Sequence, residues 1–172
     1  MDFYSHSEQD TERLGNALAA ALRGGELIAL NGDLGAGKTR LVRAVAAALR
    51  CDDALVNSPT FVLWQTYHGN FDLHHLDAYR LRDSDEFLEI GGEELLWNLT
   101  RQKPPQAVCF LEWAERVAAV LPTDRVDLHI ERQAATVADQ VSLVDNLPRL
   151  FQFEAGGELS AALLRRLANG IA

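Results

Sequence analysis

The chain has 172 residues, 48% hydrophobic and 24% charged, with a formal net charge of −9, a balance that suits one globular domain able to bury a core without disulfides or metal. The acidic charge argues against unaided binding to a nucleic-acid backbone, which needs a basic surface. Cys51 and Cys109 form no disulfide framework, and neither a secretory signal nor an apolar run of about 18 residues is read, so a cytoplasmic protein without a membrane span is expected.

Ser7 precedes a helical pattern as its cap, with Glu8 and Asp10 in the first turn and Leu14, Leu18 and Leu22 on one face. Gly24-Gly25 ends that helix. Leu27 to Leu30 is an apolar run that reads as a strand, and Gly32-Asp33-Leu34-Gly35-Ala36-Gly37-Lys38-Thr39 follows it. The octapeptide matches G-x-x-x-x-G-K-[ST], and a helix carrying Leu41, Val42, Val45 and Leu49 begins directly after it, running to about Arg50. A strand feeding a glycine-rich loop that opens a helix is the setting that gives this motif its meaning. Successive backbone N–H groups form an anion nest, and the helix adds its positive dipole end. Lys38 is expected to reach the β- and γ-phosphates of a nucleoside triphosphate, and the Thr39 hydroxyl to coordinate Mg2+. Asp33, Leu34, Gly35, Ala36, Gly37 and Arg40 complete the expected nucleotide-binding stretch.

Ser58-Pro59-Thr60 falls in the loop after that helix. Thr60 offers a hydroxyl that can order around a γ-phosphate, as switch loops do, or the segment is an ordinary proline turn. Phe61 to Tyr67 reads as a strand, His68-Gly69-Asn70 as a turn and Phe71 to Leu76 as a second strand. Strands joined so tightly must be antiparallel, a departure from a purely parallel sheet. Asp77 follows, either as an acid for water or for magnesium through water, or as a helix cap. Arg80 lies near the phosphates or pairs with surface acids; the sequence does not choose.

Asp83 to Ile90 and Glu93 to Leu99 read as helices interrupted by Gly91-Gly92, and Pro104-Pro105 ends that layer. Ala107 to Leu111 is an unbroken apolar run, the pattern of a strand covered on both faces. It ends in Glu112, where phosphoryl chemistry requires an acid for magnesium; the alternative is a surface glutamate. A short helix, Ala114 to Val120, stops before Pro122. Val126 to Ile130 reads as a strand with Val137 to Val144 as its partner, and Leu159 to Leu167 as an amphipathic helix with Arg165 and Arg166 on its polar side. His74 and His75, being adjacent on a strand, face opposite ways and cannot easily share a metal. Trp64, Trp97 and Trp113 read as core anchors, with Trp113 the one worth testing for function.

GDLGAGKT, SPTF, HLDAYRL, an acidic Ile-Gly segment and LEWAER, in this order between about Ser7 and Ile130, resemble the TsaE family. That family is a P-loop ATPase of the bacterial tRNA threonylcarbamoyl-adenosine pathway. The resemblance implies an α/β fold, a P-loop NTPase three-layer sandwich with a mixed parallel/antiparallel sheet. It implies a single domain over 1–172, with a less specific tail from about 145. It also implies ATP/ADP and Mg2+ as ligands, slow hydrolysis alone, and action on a TsaB-TsaD complex that ATP binding or hydrolysis resets. By the same resemblance Asp77 and Glu112 are catalytic, Thr39 and Glu112 hold the metal, Thr11 lies near the nucleotide and Arg132 borders the adenine. Arg40 and Ala114 depart from the family pattern, which favours a second hydroxyl and a proline there. A P-loop small-molecule kinase and a nucleotide-gated interaction protein are the competing readings.

Overall fold

The computed structural model describes residues 1–51, 56, 63–101, 105–133 and 147–171. The elements in chain order are β1 (Asp2–Ser5), α1 (Glu8–Ala21), β2 (Leu27–Asn31), α2 (Lys38–Ala48), β3 (Trp64–Tyr67), β4 (Asp72–Asp77), α3 (Ser84–Glu89) and α4 (Gly92–Arg101). Then follow β5 (Ala107–Glu112), a 3-10 helix (Ala114–Val120), β6 (Val126–Arg132), β7 (Arg149–Ala155) and α5 (Glu158–Ile171). Seven strands form one sheet in the order β1-β7-β6-β2-β5-β4-β3. Its centre, β6-β2-β5-β4, is parallel, and antiparallel strands close both sides.

The alternation of side chains along the central strands builds two cores. Ile28 and Leu30 of β2 and Val108 and Phe110 of β5 pack against Leu14 and Leu18 of α1, Leu41 and Val45 of α2, and Leu163 and Leu167 of α5. The intervening residues Leu27, Ala29, Cys109 and Leu111 pack against Phe87, Leu95, Leu99 and Val117 on the opposite face. The result is the expected three-layer sandwich with a mixed sheet. β5 is buried over its whole length, as its unbroken apolar run requires. The β3–β4 hairpin is antiparallel, with Trp64 opposite Leu76 and Tyr67 opposite Leu73.

The helix starts follow local chemistry. Ser7 caps α1, its hydroxyl accepting from the Asp10 N–H at 3.1 Å. The Asp10 carboxylate in turn accepts from the His6 N–H at 3.0 Å, a bond that holds its pKa below the ordinary range. Ser7→Ala is expected to cost about 1 kcal/mol in urea unfolding, because an orphan N–H loses its partner. Gly15 of α1 lets α2 approach closely: a Cβ there would stand 2.4 Å from the Ala44 Cβ.

Several boundaries differ from the sequence reading. The first hairpin strand is described from Trp64, residues 61 and 62 lying outside the described set, and β4 runs one residue further, so that Asp77 is its last residue. The expected helix Ala114–Val120 is a 3-10 helix broken at Val117, whose φ is −125°. The expected partner strand Val137–Val144 lies outside the described residues. β6 instead pairs with β7, Val126 opposite Ala155 through Arg132 opposite Arg149. Neither β1 nor β7 was read from the sequence. β7 carries a two-residue alternation in Phe151 and Phe153, both in the core. The tail thus extends the sheet. Arg166 of α5 bonds the Ala21 carbonyl at 2.6 Å and the buried Glu26 carboxylate at 3.0 Å. Burial raises the Glu26 pKa, with opposition from hydrogen bonding and Arg166.

Candidate functional site

The parallel register brings three strand ends together. Leu30 of β2 lies opposite Glu112 of β5, and Glu112 lies opposite Asp77 of β4. The glycine-rich loop leaves β2 beside them. A cleft of about 330 Å³ opens there, lined on the loop side by Gly35, Gly37, Lys38 and Thr39, with Asp77 and Glu112 on its floor. The carboxyl ends of parallel strands are where α/β sheets gather ligand groups.

The loop's shape follows from its glycines and its close packing. Gly32 has φ +134°, and a Cβ there would lie 2.3 Å from the Ile130 carbonyl oxygen. No other residue type fits. Gly37 precedes α2 with φ +114° and caps it with no side-chain hydrogen bond, so the first-turn N–H groups face the cleft without a side-chain acceptor. Lys38 is buried, its Nζ donating to the Gly32 carbonyl and, at 3.0 Å, to that of Asp33. The same Nζ lies 3.8 Å from the centre of the Trp113 ring. Burial pulls the Lys38 ammonium below the ordinary lysine range, against the opposing pull of Glu112, Glu115, Asp77 and Asp33.

Thr39 and Glu112 meet across the sheet: the Thr39 hydroxyl donates to Glu112 Oε1 at 2.7 Å. His75 Nε2 reaches the same oxygen at 2.8 Å. Asp77 is buried, and its Oδ1 accepts from the Tyr79 N–H at 2.9 Å. It therefore turns the chain locally, as a capping residue does, and also lines the cleft. Trp113 has φ +58°, a left-handed conformation uncommon for a bulky residue, and its N–H donates to the Leu30 carbonyl at 2.9 Å. Its ring centroid lies 5.0 Å from that of Tyr79.

Two arginines hold the loop from outside. Arg132 donates from Nε to the Gly35 carbonyl at 2.9 Å, and Arg149 from Nε to the Ala36 carbonyl at 2.9 Å. They are cross-strand neighbours on β6 and β7. Because the trans peptide is planar with C=O and N–H pointing opposite ways, tying these carbonyls down fixes the direction of the Ala36 N–H, which donates to the Asp33 carbonyl, and of the Gly37 N–H. Arg149→Met is expected to weaken nucleotide binding about tenfold by loosening that loop, since it removes charge-assisted bonds to it. Isothermal titration with ATP measures this.

Of the residues singled out from the sequence, Leu34, Gly35, Gly37, Lys38, Thr39, Arg40, Asp77, Glu112 and Arg132 line the cleft. Asp33 and Ala36 belong to the loop, linked by the Ala36 N–H to the Asp33 carbonyl at 3.0 Å. Arg40 also makes an ion pair with Glu8 of α1, so its charge is shared between the cleft and the first helix. Thr11 is a buried residue of the first turn of α1, its hydroxyl 2.9 Å from that of Ser5, and it is not among the cleft's lining residues. Arg80 is not among them either. Thr60 lies outside the described residues. Arg149, His75 and Tyr79 were not singled out. A histidine two residues before Asp77 on one strand face was the available signal for His75. Arg149 has no local motif, only its register with Arg132.

The chain resembles proteins already described. A family profile described as "Threonylcarbamoyl adenosine biosynthesis protein TsaE" matches residues 5–140. The tRNA threonylcarbamoyladenosine biosynthesis protein TsaE of Treponema pallidum is 38% identical over 126 residues, covering 73% of this chain and 87% of that protein. The protein of the same name from Bacillus subtilis is 34% identical over 125 residues, covering 72% and 73%. The crystal structure of Bacillus subtilis YdiB superposes with a TM-score of 0.71 at 25% identity, covering 100% of this chain and 96% of that one.

Proposed function

The chain belongs to the TsaE family of threonylcarbamoyl adenosine biosynthesis proteins, and on that footing we propose that it is a cytoplasmic, Mg2+-dependent ATPase. Its role is to bind and hydrolyse ATP in support of turnover by a TsaB-TsaD complex during tRNA threonylcarbamoyl-adenosine modification. The observation that carries this reading is the convergence of Lys38, Thr39, Asp77 and Glu112 on one cleft.

The donor set suits magnesium. A hydroxyl and a carboxylate, 2.7 Å apart, are hard oxygen ligands. Among the described residues, no group of three or more His, Cys, Asp or Glu could hold a metal by itself. Magnesium in nucleotide sites is commonly held by one or two protein oxygens together with phosphates and water. Bound there, magnesium would neutralise phosphate charge and polarise the phosphoryl group. Thr39 and Glu112 would hold the ion. The loop N–H groups and Lys38 bind the phosphate oxygens and take up charge that grows on them. Asp77, next to Glu112 at the sheet edge, orients the attacking water and accepts its proton.

The acidic balance of the chain, −9, favours a protein partner over direct contact with RNA. No helix among the described residues is long and apolar enough to cross a membrane. The test is phosphate release from ATP with and without purified TsaB-TsaD. Stimulation together with a co-eluting complex is the expected result. Absence of both would overturn the partner assignment, and transfer of phosphate to a small-molecule acceptor would make the protein a kinase.

A further inference from the structure

We propose that His75 is a positioning residue for the metal site: it orients the Glu112 carboxylate so that one oxygen is saturated and the other is presented to the ion. This rests on the reading of Glu112 as a magnesium ligand.

The geometry is specific. His75 lies on β4 two residues before Asp77, on the same strand face, and is 0% exposed. Its Nε2 is 2.8 Å from Glu112 Oε1, and the Thr39 hydroxyl is 2.7 Å from that same atom. Two donors therefore converge on Oε1. Among the described residues, Oε2 has no hydrogen-bond partner. A carboxylate held through one oxygen cannot rotate freely, so its other oxygen has one direction. Facing a carboxylate oxygen, Nε2 carries a proton and donates it.

The rest of the ring argues that this bond is its purpose. Nδ1 is buried without a hydrogen-bond partner. Unpaired buried polar atoms are uncommon in folded proteins and call for an explanation. On the sheet His75 lies between Phe110 of β5 and Gln65 of β3, and neither is a hydrogen-bond partner of Nδ1. A leucine would fill that place without leaving a nitrogen unpaired, so packing alone does not account for a histidine. Residues that orient metal ligands in this way commonly set affinity rather than fold.

The test compares His75→Leu, which removes the donor at similar volume, with His75→Gln, whose amide nitrogen can stand where Nε2 does. Mn2+ binding to the ATP-loaded protein is followed by electron paramagnetic resonance, and ATP binding in EDTA by calorimetry. His75→Leu is expected to weaken Mn2+ binding by about tenfold or more, with metal-free ATP affinity unchanged and His75→Gln restoring most of the loss. If His75→Leu binds Mn2+ like the parent, or His75→Gln is as defective as His75→Leu, the proposal is overturned. Glu112→Ala serves as the control. If it too leaves Mn2+ binding unchanged, the metal-site reading fails; if it alone weakens binding, only the role of His75 fails. A measurement on the parent protein does not depend on the leucine variant folding. Long-range proton–nitrogen NMR should show His75 as the Nε2–H form, with that proton's downfield shift lost in Glu112→Ala; an Nδ1–H form would overturn the proposal.

Discussion

Lys38→Ala is expected to abolish measurable ATP binding, a loss of more than about 100-fold, since removing a charged, desolvated partner of a phosphate costs roughly 2–5 kcal/mol or more. Calorimetric titration checks it, and near-parent affinity in the variant would remove Lys38 from the site. The same substitution has a consequence for stability that runs the other way with pH. Burial holds the folded Lys38 pKa below the unfolded value near 10.5. Below the folded pKa both states carry the proton, so the cost of burying the charge is fully present there. Between the folded and unfolded pKa values the folded protein has lost that proton and the unfolded chain has not. The unfolded state then binds more protons, and stability rises with pH through that window. The parent should therefore gain melting temperature relative to Lys38→Ala as pH approaches 10. Groups titrating equally in both proteins cancel in the comparison. A difference that does not change with pH would mean that Lys38 is not buried as described.

Glu112→Gln should reduce complex-dependent ATP turnover about 100- to 1000-fold, the size of effect seen when a single electrostatic group is removed from a reacting centre. Folding should change far less, by about 1 kcal/mol. The amide keeps the side-chain volume and one oxygen able to accept from Thr39 and His75, the two donors that meet at Oε1. What it loses is the negative charge and the strong oxygen ligand proposed for magnesium. Phosphate release in the presence of TsaB-TsaD, read beside a thermal melt, separates the two effects. Full turnover in Glu112→Gln would refute the role given to the carboxylate.

Together the two substitutions would divide the cleft into the part proposed to bind phosphate and the part proposed to hold the metal. They also separate two kinds of information in the chain. The residues from Gly32 to Thr39 needed no tertiary context to be read, because a glycine-rich turn, a lysine and a hydroxyl at fixed spacing act through the local backbone. Asp77 and Glu112 were legible for a related reason: each ends a recognisable strand, and strand ends in parallel sheets converge. The hairpin, the doubly covered β5 and the capped start of α1 followed from turn length, hydrophobic run and side-chain chemistry.

The missed features depend on contacts between distant parts of the chain. Thr39 and Glu112 are 73 positions apart, His75 and Glu112 are 37 apart, and Arg149 and Ala36 are 113 apart. No local pattern encodes these distances; the strand order does. The short edge strand β1 shows little hydrophobic periodicity, because an edge strand buries only part of its surface, whereas β7 alternates at Phe151 and Phe153 but its partners on both sides are set by distant parts of the chain. Local pattern sufficed for the glycine-rich loop, the acids at two strand ends and the layered sandwich that carries them. That Arg132 and Arg149 bond the loop from outside, and that a buried histidine faces the Glu112 carboxylate, follows from sheet order and register, which set which distant side chains meet.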